Sequence, residues 1–373
     1  MYRGEWGAMA DNAAAGILPA HQISELVEAG QISLETPLAS DQIQPASLDL
    51  RLGQTAYRVR ASFLPGPERS VADRLALLKL HEFDLLDGAV LETGCVYIVP
   101  LMEGLKLPPA LSAAANPKSS TGRLDIFTRV ITDRAREFDA VPAGYNGPLY
   151  LEVSPRTFPI VVRAGSRLSQ IRFRHGNARL DDASLLDLHR EVGLVDGAPN
   201  ISNGIGISID LTSGSSGFIG FRAKRHTGLI DVDKRAACNV FDYWEPIRPH
   251  QMAELVLDPA QFYILVSREA VHVPPDYAAE MVPFDPLVGE FRVHYAGFFD
   301  PGFGHNAAGG KGSRAVLEVR SHEIPFIVEH GQTVGRLAYE KLVGRPKKLY
   351  GQDISSNYQG QGLKLSKHFR SIG

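Results

Sequence analysis

The sequence predicts a mainly β protein made of two copies of one domain, and three observations carry that prediction. The chain matches itself at a nearly constant offset. Short alternating segments recur between Gly and Pro. The 36 Gly and 24 Pro of its 373 residues supply turns for many short strands rather than a helical bundle.

The repeat is read most directly. Tyr97-Ile98-Val99-Pro100 through Leu107-Pro108-Pro109 matches Tyr263-Ile264-Leu265-Val266 through Val273-Pro274-Pro275, 166 positions later. The same offset relates Leu151-Glu152-Val153 to Leu317-Glu318-Val319, Pro159 to Pro325 and Gly165 to Gly331. A similar offset pairs Ser47-Leu48-Asp49-Leu50 with Ser208-Ile209-Asp210-Leu211. Self-similarity of this kind marks a duplicated structural unit.

Within each copy the pattern is that of strands. Leu149-Tyr150-Leu151-Glu152-Val153 alternates, as do Ile160-Val161-Val162 and Leu168-Ser169-Gln170-Ile171-Arg172-Phe173. Val316-Leu317-Glu318-Val319 and Phe326-Ile327-Val328 repeat the theme in the second copy. Helical spacing is confined to His21–Val27 and to Asp181–Val192 between the copies. The expected organisation is repeat 1 over 14–176, a helical linker over 177–199, repeat 2 over 200–345 and a polar tail over 346–373. Short strands with frequent turns suit a sandwich or jelly roll.

Bulk properties narrow the function. With 44% hydrophobic residues each copy can bury a core, and a net charge of −3 argues against a broad nucleic-acid or anionic-membrane footprint. Cys95 and Cys238 are far apart, without a CxxC, so neither a disulfide framework nor a thiolate zinc site is expected. No apolar run approaches 18 residues and the N-terminus lacks the apolar core of a signal peptide, which together point to a reduced, cytoplasmic setting.

Three groups of residues carry a family resemblance. The first is Ile43-Gln44-Pro45-Ala46-Ser47-Leu48-Asp49-Leu50-Arg51-Leu52-Gly53. The second is Lys118-Ser119-Ser120-Thr121-Gly122-Arg123-Leu124, followed by Gly144-Tyr145-Asn146-Gly147 and Leu151-Glu152-Val153. The third is Asn357-Tyr358-Gln359-Gly360-Gln361-Gly362. In this order they resemble the dCTP deaminases, relatives of dUTPase. The resemblance covers nearly all of copy one and, more loosely, copy two and the tail. It implies tandem dUTPase-like distorted β jelly rolls with a few short helices, a homo-oligomer (trimeric in the family) and active sites between neighbouring subunits.

Deamination at C4 of cytosine needs an activated water and proton delivery to N3 and to the leaving amine. The familiar zinc deaminase signature, HxE with PCxxC, is absent, so the proton work falls to a carboxylate and no zinc is expected. Leu149, Leu151 and Val153 share one face of a strand, which leaves Tyr150 and Glu152 on the other. By resemblance Glu152 is the proton carrier, although a lone strand-face Glu is more often simply solvated and copy two keeps Glu318.

Lys118 to Arg123 offers two cations and three hydroxyls within six residues, suited to a triphosphate. By resemblance Ser119 and Arg123 position the water and the Glu, while Lys118 and Ser120 face phosphates. The family more often has Arg at the place of Lys118, and lysine lacks the bidentate fork. At the 166 offset Phe284, Asp285, Pro286 and Gly289 replace Lys118, Ser119, Ser120 and Arg123, so copy two has lost its cradle.

Copy two instead holds Asp300-Pro301-Gly302-Phe303, which resembles the family's sugar-binding turn, though the tripeptide is also an ordinary turn former. Copy one has no Asp at the matching place; its Tyr145 keeps the aromatic that packs on the sugar. Tyr350, Tyr358, Gln359 and Gln361 match the family's closing tail, and Asn357 stands where relatives have Lys, a gap that Lys364 or Lys367 could fill. The expectation is one site between the copy-one pocket and elements of copy two, from the same or a neighbouring chain. Its partner is a deoxycytidine nucleotide, with Mg2+ carried on the triphosphate and no dedicated protein metal site. Two rivals stay open. One is a dUTP pyrophosphatase, alone or combined with deamination, and the other is a non-catalytic nucleotide-binding scaffold.

Overall fold

The structure, a computed structural model, describes residues 15–212, 217–282, 291–293, 297–321, 323–351 and 362–372. Repeat 1 is two mainly antiparallel sheets. One runs in the order Ala140–Val141, Leu111–Pro117, Ser169–His175, Ser47–Leu50, Ile43–Gln44. The other runs Ile126–Thr132, Asn146–Pro155, Val96–Lys106, Thr55–Val59, Lys79–Asp84. Leu48, Ala113, Ala115 and Ile171 of the first meet Val99, Leu149, Leu151 and Val153 of the second in one apolar core, as the period-two alternation requires.

Repeat 2 reproduces the plan. Ile205–Ser208, Thr333–Lys341, Tyr277–Val282 and Phe298–Phe299 form one sheet. Trp244–Ile247, Gly220–Ala223, Phe262–Val271, Ser313–Ser321 and Phe291–Val293 form the other. The matched motif near residue 47 is the exception. Leu52 N bonds Ser166 O as Ile209 N bonds Gln332 O, and Gly53 N bonds Pro100 O as Asp210 N bonds Val266 O. Structurally Leu52 therefore answers to Ile209, four residues from where the Ser-Leu-Asp-Leu match puts it. An even slip leaves every side chain on its own face, so the sequence pattern cannot see it.

The first helix, Ala20–Glu28, lies where spacing predicts it. The second, Asp182–Val192, is capped by Asp181 accepting from Ser184 N at 2.8 Å and ends at Gly193 with φ 64°. It is no free linker: Leu185 and Leu188 pack into the core of repeat 2. A further helix, Val71–Leu78, starts at a capping box of Ser70 and Asp73, and Val71, Leu75 and Leu78 cover Ile98 and Ile131. No described helix is long and apolar enough to cross a membrane.

The two repeats share buried surface. Phe221, Trp244, Phe262 and Ile264 of repeat 2 belong to the same apolar cluster as Phe158 and Ile160 of repeat 1. Ile160–Val162 pairs with Ala89–Leu91 on one side and, in parallel, with Ile230–Asp231 of repeat 2 on the other. Leu365 and Phe369 join this cluster, so the chain's end returns to the junction. Polar contacts complete the seam: Arg172 reaches Glu340 at 3.4 Å and Asp300 at 3.5 Å, and Arg174 reaches Glu340 at 2.7 Å and Glu280 at 2.9 Å.

Candidate active site

The strand Leu111–Pro117 runs into Lys118, whose extended backbone precedes a single helical turn, Ser119–Gly122. Thr121 N and Gly122 N bond Lys118 O at 2.8 and 3.0 Å, and Arg123 N bonds Ser119 O at 3.1 Å. Ser120, Thr121 and Arg123 are buried. The Lys118 ammonium pairs with the buried Asp49 carboxylate, which also lies 3.6 Å from Arg167. Lys118, Ser119, Ser120 and Arg123 thus stand together as a compact polar turn.

What faces this turn comes from repeat 2. Glu318, on the interior strand Ser313–Ser321, is buried against the turn's backbone: a Cβ on Gly122 would stand 2.7 Å from Glu318 Oε2. Burial raises the Glu318 carboxyl to about 8, with the Arg123 guanidinium pulling it down and Asp125 pushing it up. Two residues on, Arg320 pairs with Asp125 and donates to Thr157 Oγ1 at 2.9 Å, which locks this strand to repeat 1. Asp300 is also buried here, near Lys118 and Asp49; burial raises it to about 6 while Arg172 opposes the shift.

Asp300 sits on a constrained turn. Gly302 has φ 95°, and a Cβ there would press on Leu349 Cβ at 3.0 Å. Tyr350 N bonds Pro301 O at 2.9 Å, and the Phe303 ring lies 5.8 Å from the Tyr350 ring. Asp300 and Tyr350 are therefore held together. Strand register explains why copy one has no such Asp. Val141 pairs with Ala113 as Phe299 pairs with Ala279, so Pro142 occupies the place of Asp300, and Tyr145 that of Phe303.

Glu152 and Tyr145 stand elsewhere. Glu152 Oε1 accepts from Arg129 Nε at 3.1 Å and Nη2 at 2.7 Å, and none of its bonds goes to the Lys118–Arg123 turn. Tyr145 donates to Pro148 O at 2.6 Å and accepts from Asp133 N at 3.1 Å. Within one chain the carboxylate at the turn is thus Glu318 rather than its copy-one equivalent. In one chain taken alone, Glu152 and the Ser119–Arg123 turn therefore do not share a pocket. The physical reason is that a strand motif fixes the face of a side chain but not which domain covers it. Tyr358, Gln359 and Gln361, and the copy-two residues Phe284, Asp285, Pro286 and Gly289, lie outside the described residues.

Sequence reasoning also missed Arg172, Arg320, Ser366 and His368. For Glu318 a signal exists: it repeats Glu152 at the 166 offset. The closing residues of the chain carry no such pattern. Arg123 Nη1 donates to Lys364 O at 3.0 Å, and Ser366 Oγ donates to Ser120 O at 2.8 Å.

Comparison with known proteins finds two adjoining family profiles along the chain. Residues 14–177 match the profile of the 2'-deoxycytidine 5'-triphosphate deaminase N-terminal domain, and residues 181–369 that of its C-terminal domain. A dCTP deaminase of Halorubrum lacusprofundi is 31% identical over 135 residues, which span 35% of this chain and 63% of that protein. The "dCTP deaminase, dUMP-forming" of Coprothermobacter proteolyticus is 30% identical over 156 residues, 40% of this chain and 77% of that protein. A crystal structure of 2'-deoxycytidine 5'-triphosphate deaminase from Agrobacterium tumefaciens superposes with a TM-score of 0.85 at 67% identity, covering 88% of this chain and 99% of that one. The mainly β, dUTPase-like fold read from the motifs is therefore the fold of a known deaminase. On the strength of the two domain profiles and this structural match, the chain belongs to the 2'-deoxycytidine 5'-triphosphate deaminase family.

Proposed function

We propose that this protein converts dCTP and water to dUTP and ammonia at the junction of its two repeats, with Glu318 as the proton carrier. The observation that carries the reading is the meeting of a buried carboxyl, which burial pushes up to about 8, with Arg123 and the Ser119 turn. In the reaction Glu318 gives its proton to N3 of cytosine, which makes C4 electrophilic. Ser119 and Arg123 hold the water that attacks C4, and Glu318 takes the proton that water loses. It passes this proton to the exocyclic nitrogen. The C4–N4 bond then breaks, ammonia leaves, and the remaining hydroxyl proton returns to Glu318 as the C4 carbonyl forms.

Lys118 and Ser120 take the phosphates, and Asp300, with Phe303 beside it, takes the deoxyribose. Tyr350 starts the tail that closes over the nucleotide, Tyr358 and Gln361 included. Magnesium enters as the nucleotide complex. The acids beside Lys118 are already held, Asp49 by Lys118 and Asp300 by Arg172, which suits an ion carried by phosphate oxygens and water better than a protein cage. The reading makes the chain a zinc-independent, cytoplasmic homo-oligomer whose dUTP feeds dUMP and dTTP synthesis.

Product analysis with dCTP and magnesium tests it. Ammonia and dUTP are expected from the wild type, and a loss of at least about 100-fold in ammonia release from Glu318→Gln, the scale of a positioned acid–base group. Loss in Glu152→Gln with retention in Glu318→Gln would return the proton role to repeat 1. Pyrophosphate with dUMP would mark the combined deaminase and pyrophosphatase; the Coprothermobacter relative is named "dCTP deaminase, dUMP-forming". Nucleotide binding without turnover would leave a scaffold.

A further inference from the structure

The turn that carries Ser119, Ser120 and Arg123 is one helical turn long, and its N-cap residue Lys118 makes no side-chain cap bond. So short an element cannot hold its own geometry. Its outer side is held by the end of the chain. Arg123 Nη1 donates to Lys364 O at 3.0 Å, and Ser366 Oγ lies 2.8 Å from Ser120 O. The same hydroxyl lies 2.9 Å from His368 Nδ1, and His368 Nε2 lies 2.9 Å from Val232 O. Ser366 and His368 are each 2% exposed, so solvent does not compete for these contacts.

Their own placement is firm. Leu365 and Phe369 on either side sink into the shared core, Phe369 with its ring 5.5 Å from Tyr243 and 6.0 Å from Trp244. Ala236 N bonds Lys367 O and Cys238 N bonds His368 O, both at 3.0 Å. The segment is thus a fixed strut between repeat 2 and the turn.

We infer that Ser366 and His368 are a positioning pair for the Ser119–Arg123 turn: Ser366 ties the Ser120 carbonyl, and His368 orients Ser366. The inference rests on the function proposed above. Val232 O and Ser120 O are both acceptors, so Nε2 carries the imidazole hydrogen and Nδ1 presents its lone pair. The Ser366 hydroxyl is then shared between Nδ1 and the Ser120 carbonyl. Without the tie the turn shifts, and with it the alignment of Ser119 and Arg123 against Glu318, which touches the chemical step more than nucleotide capture.

The experiment is steady-state ammonia release from dCTP by the full chain, at a temperature where circular dichroism shows each variant folded. Ser366→Ala is expected to lower kcat about fivefold or more, the scale of one buried hydrogen bond, with KM for dCTP moving less than twofold. His368→Asn, which can set either amide atom against Ser366, is expected to lose less kcat than His368→Gln, whose longer amide keeps only the Val232 contact. A kcat for Ser366→Ala within twofold of wild type overturns the inference, as does an equal loss in the Asn and Gln variants. If the wild type releases no ammonia from dCTP, the functional reading falls and takes the inference with it. An active wild type with an unaffected Ser366→Ala sinks the inference alone.

Discussion

Glu152 and Glu318 occupy the same position of the same strand in two copies, and their environments have diverged. Glu152 is tied to Arg129, whose guanidinium lies 3.5 Å over Phe138 and 4.6 Å over Phe127. Glu318 faces Gly122 and Arg123 across the seam, and burial raises it from 4.5 to about 8. Between these two values the folded protein therefore holds a proton that the unfolded chain has released. The stability this group supplies is full below pH 4.5 and is lost as pH rises through about 8. Glu318→Gln removes the loss, so its Tm should gain several degrees on the wild type between pH 6 and pH 9. Calorimetry at the two pH values decides the point, and a constant difference in Tm would mean that Glu318 is ionised throughout. At this scale the sequence was legible in chemistry and not in partnership. Ser119, Arg123 and a strand-borne Glu could be named, but the buried face of a strand reads the same whichever domain covers it.

The elements divide along the same line. The strands of both repeats and the helix Ala20–Glu28 followed from alternation and spacing, because period and burial are local properties. The four-residue slip of the Ile205–Ser208 region was invisible, since it preserves the alternation. The helix Val71–Leu78 announces itself only in the Ser70–Asp73 box. The Ser119–Gly122 turn was legible as a polar segment, but the reason for its glycine was not. Gly122 does not have a left-handed backbone; its lack of a side chain lets the Glu318 carboxyl approach. Gly122→Ala would bring a methyl to 2.7 Å from Oε2 of a group with no exposed space to retreat into. The expected cost is about 1–3 kcal/mol in stability, with ammonia release falling by more than that destabilisation accounts for. Chemical denaturation and turnover measured on the same preparation test this; activity intact in a folded Ala variant would show that Glu318 need not touch the turn.

At the scale of the whole molecule, the two copies are joined by a shared apolar junction, although repeat 2 also has a core of its own. The apolar cluster of repeat 1 runs without interruption through Phe158 to Trp244 and Phe262 of repeat 2 and on to Phe369 at the chain's end. Trp244 is the centre of that junction. It is fully buried, with Phe158 at 5.4 Å, Phe262 at 5.9 Å and Phe369 at 6.0 Å between ring centroids. Its indole Nε1 makes no hydrogen bond to a described residue, so its contribution to the junction is packing. Trp244→Ala should therefore cost about 3–5 kcal/mol. That cost should fall on both repeats together, because the cavity opens between them. Calorimetry of the wild type is expected to show a single endotherm, displaced as a whole in the variant. Two separated transitions, with only the later-melting one unmoved, would mean that each repeat stands on its own core. In that case the junction at the candidate site would be a docked interface, and Glu318 could leave the Ser119 turn without either domain unfolding.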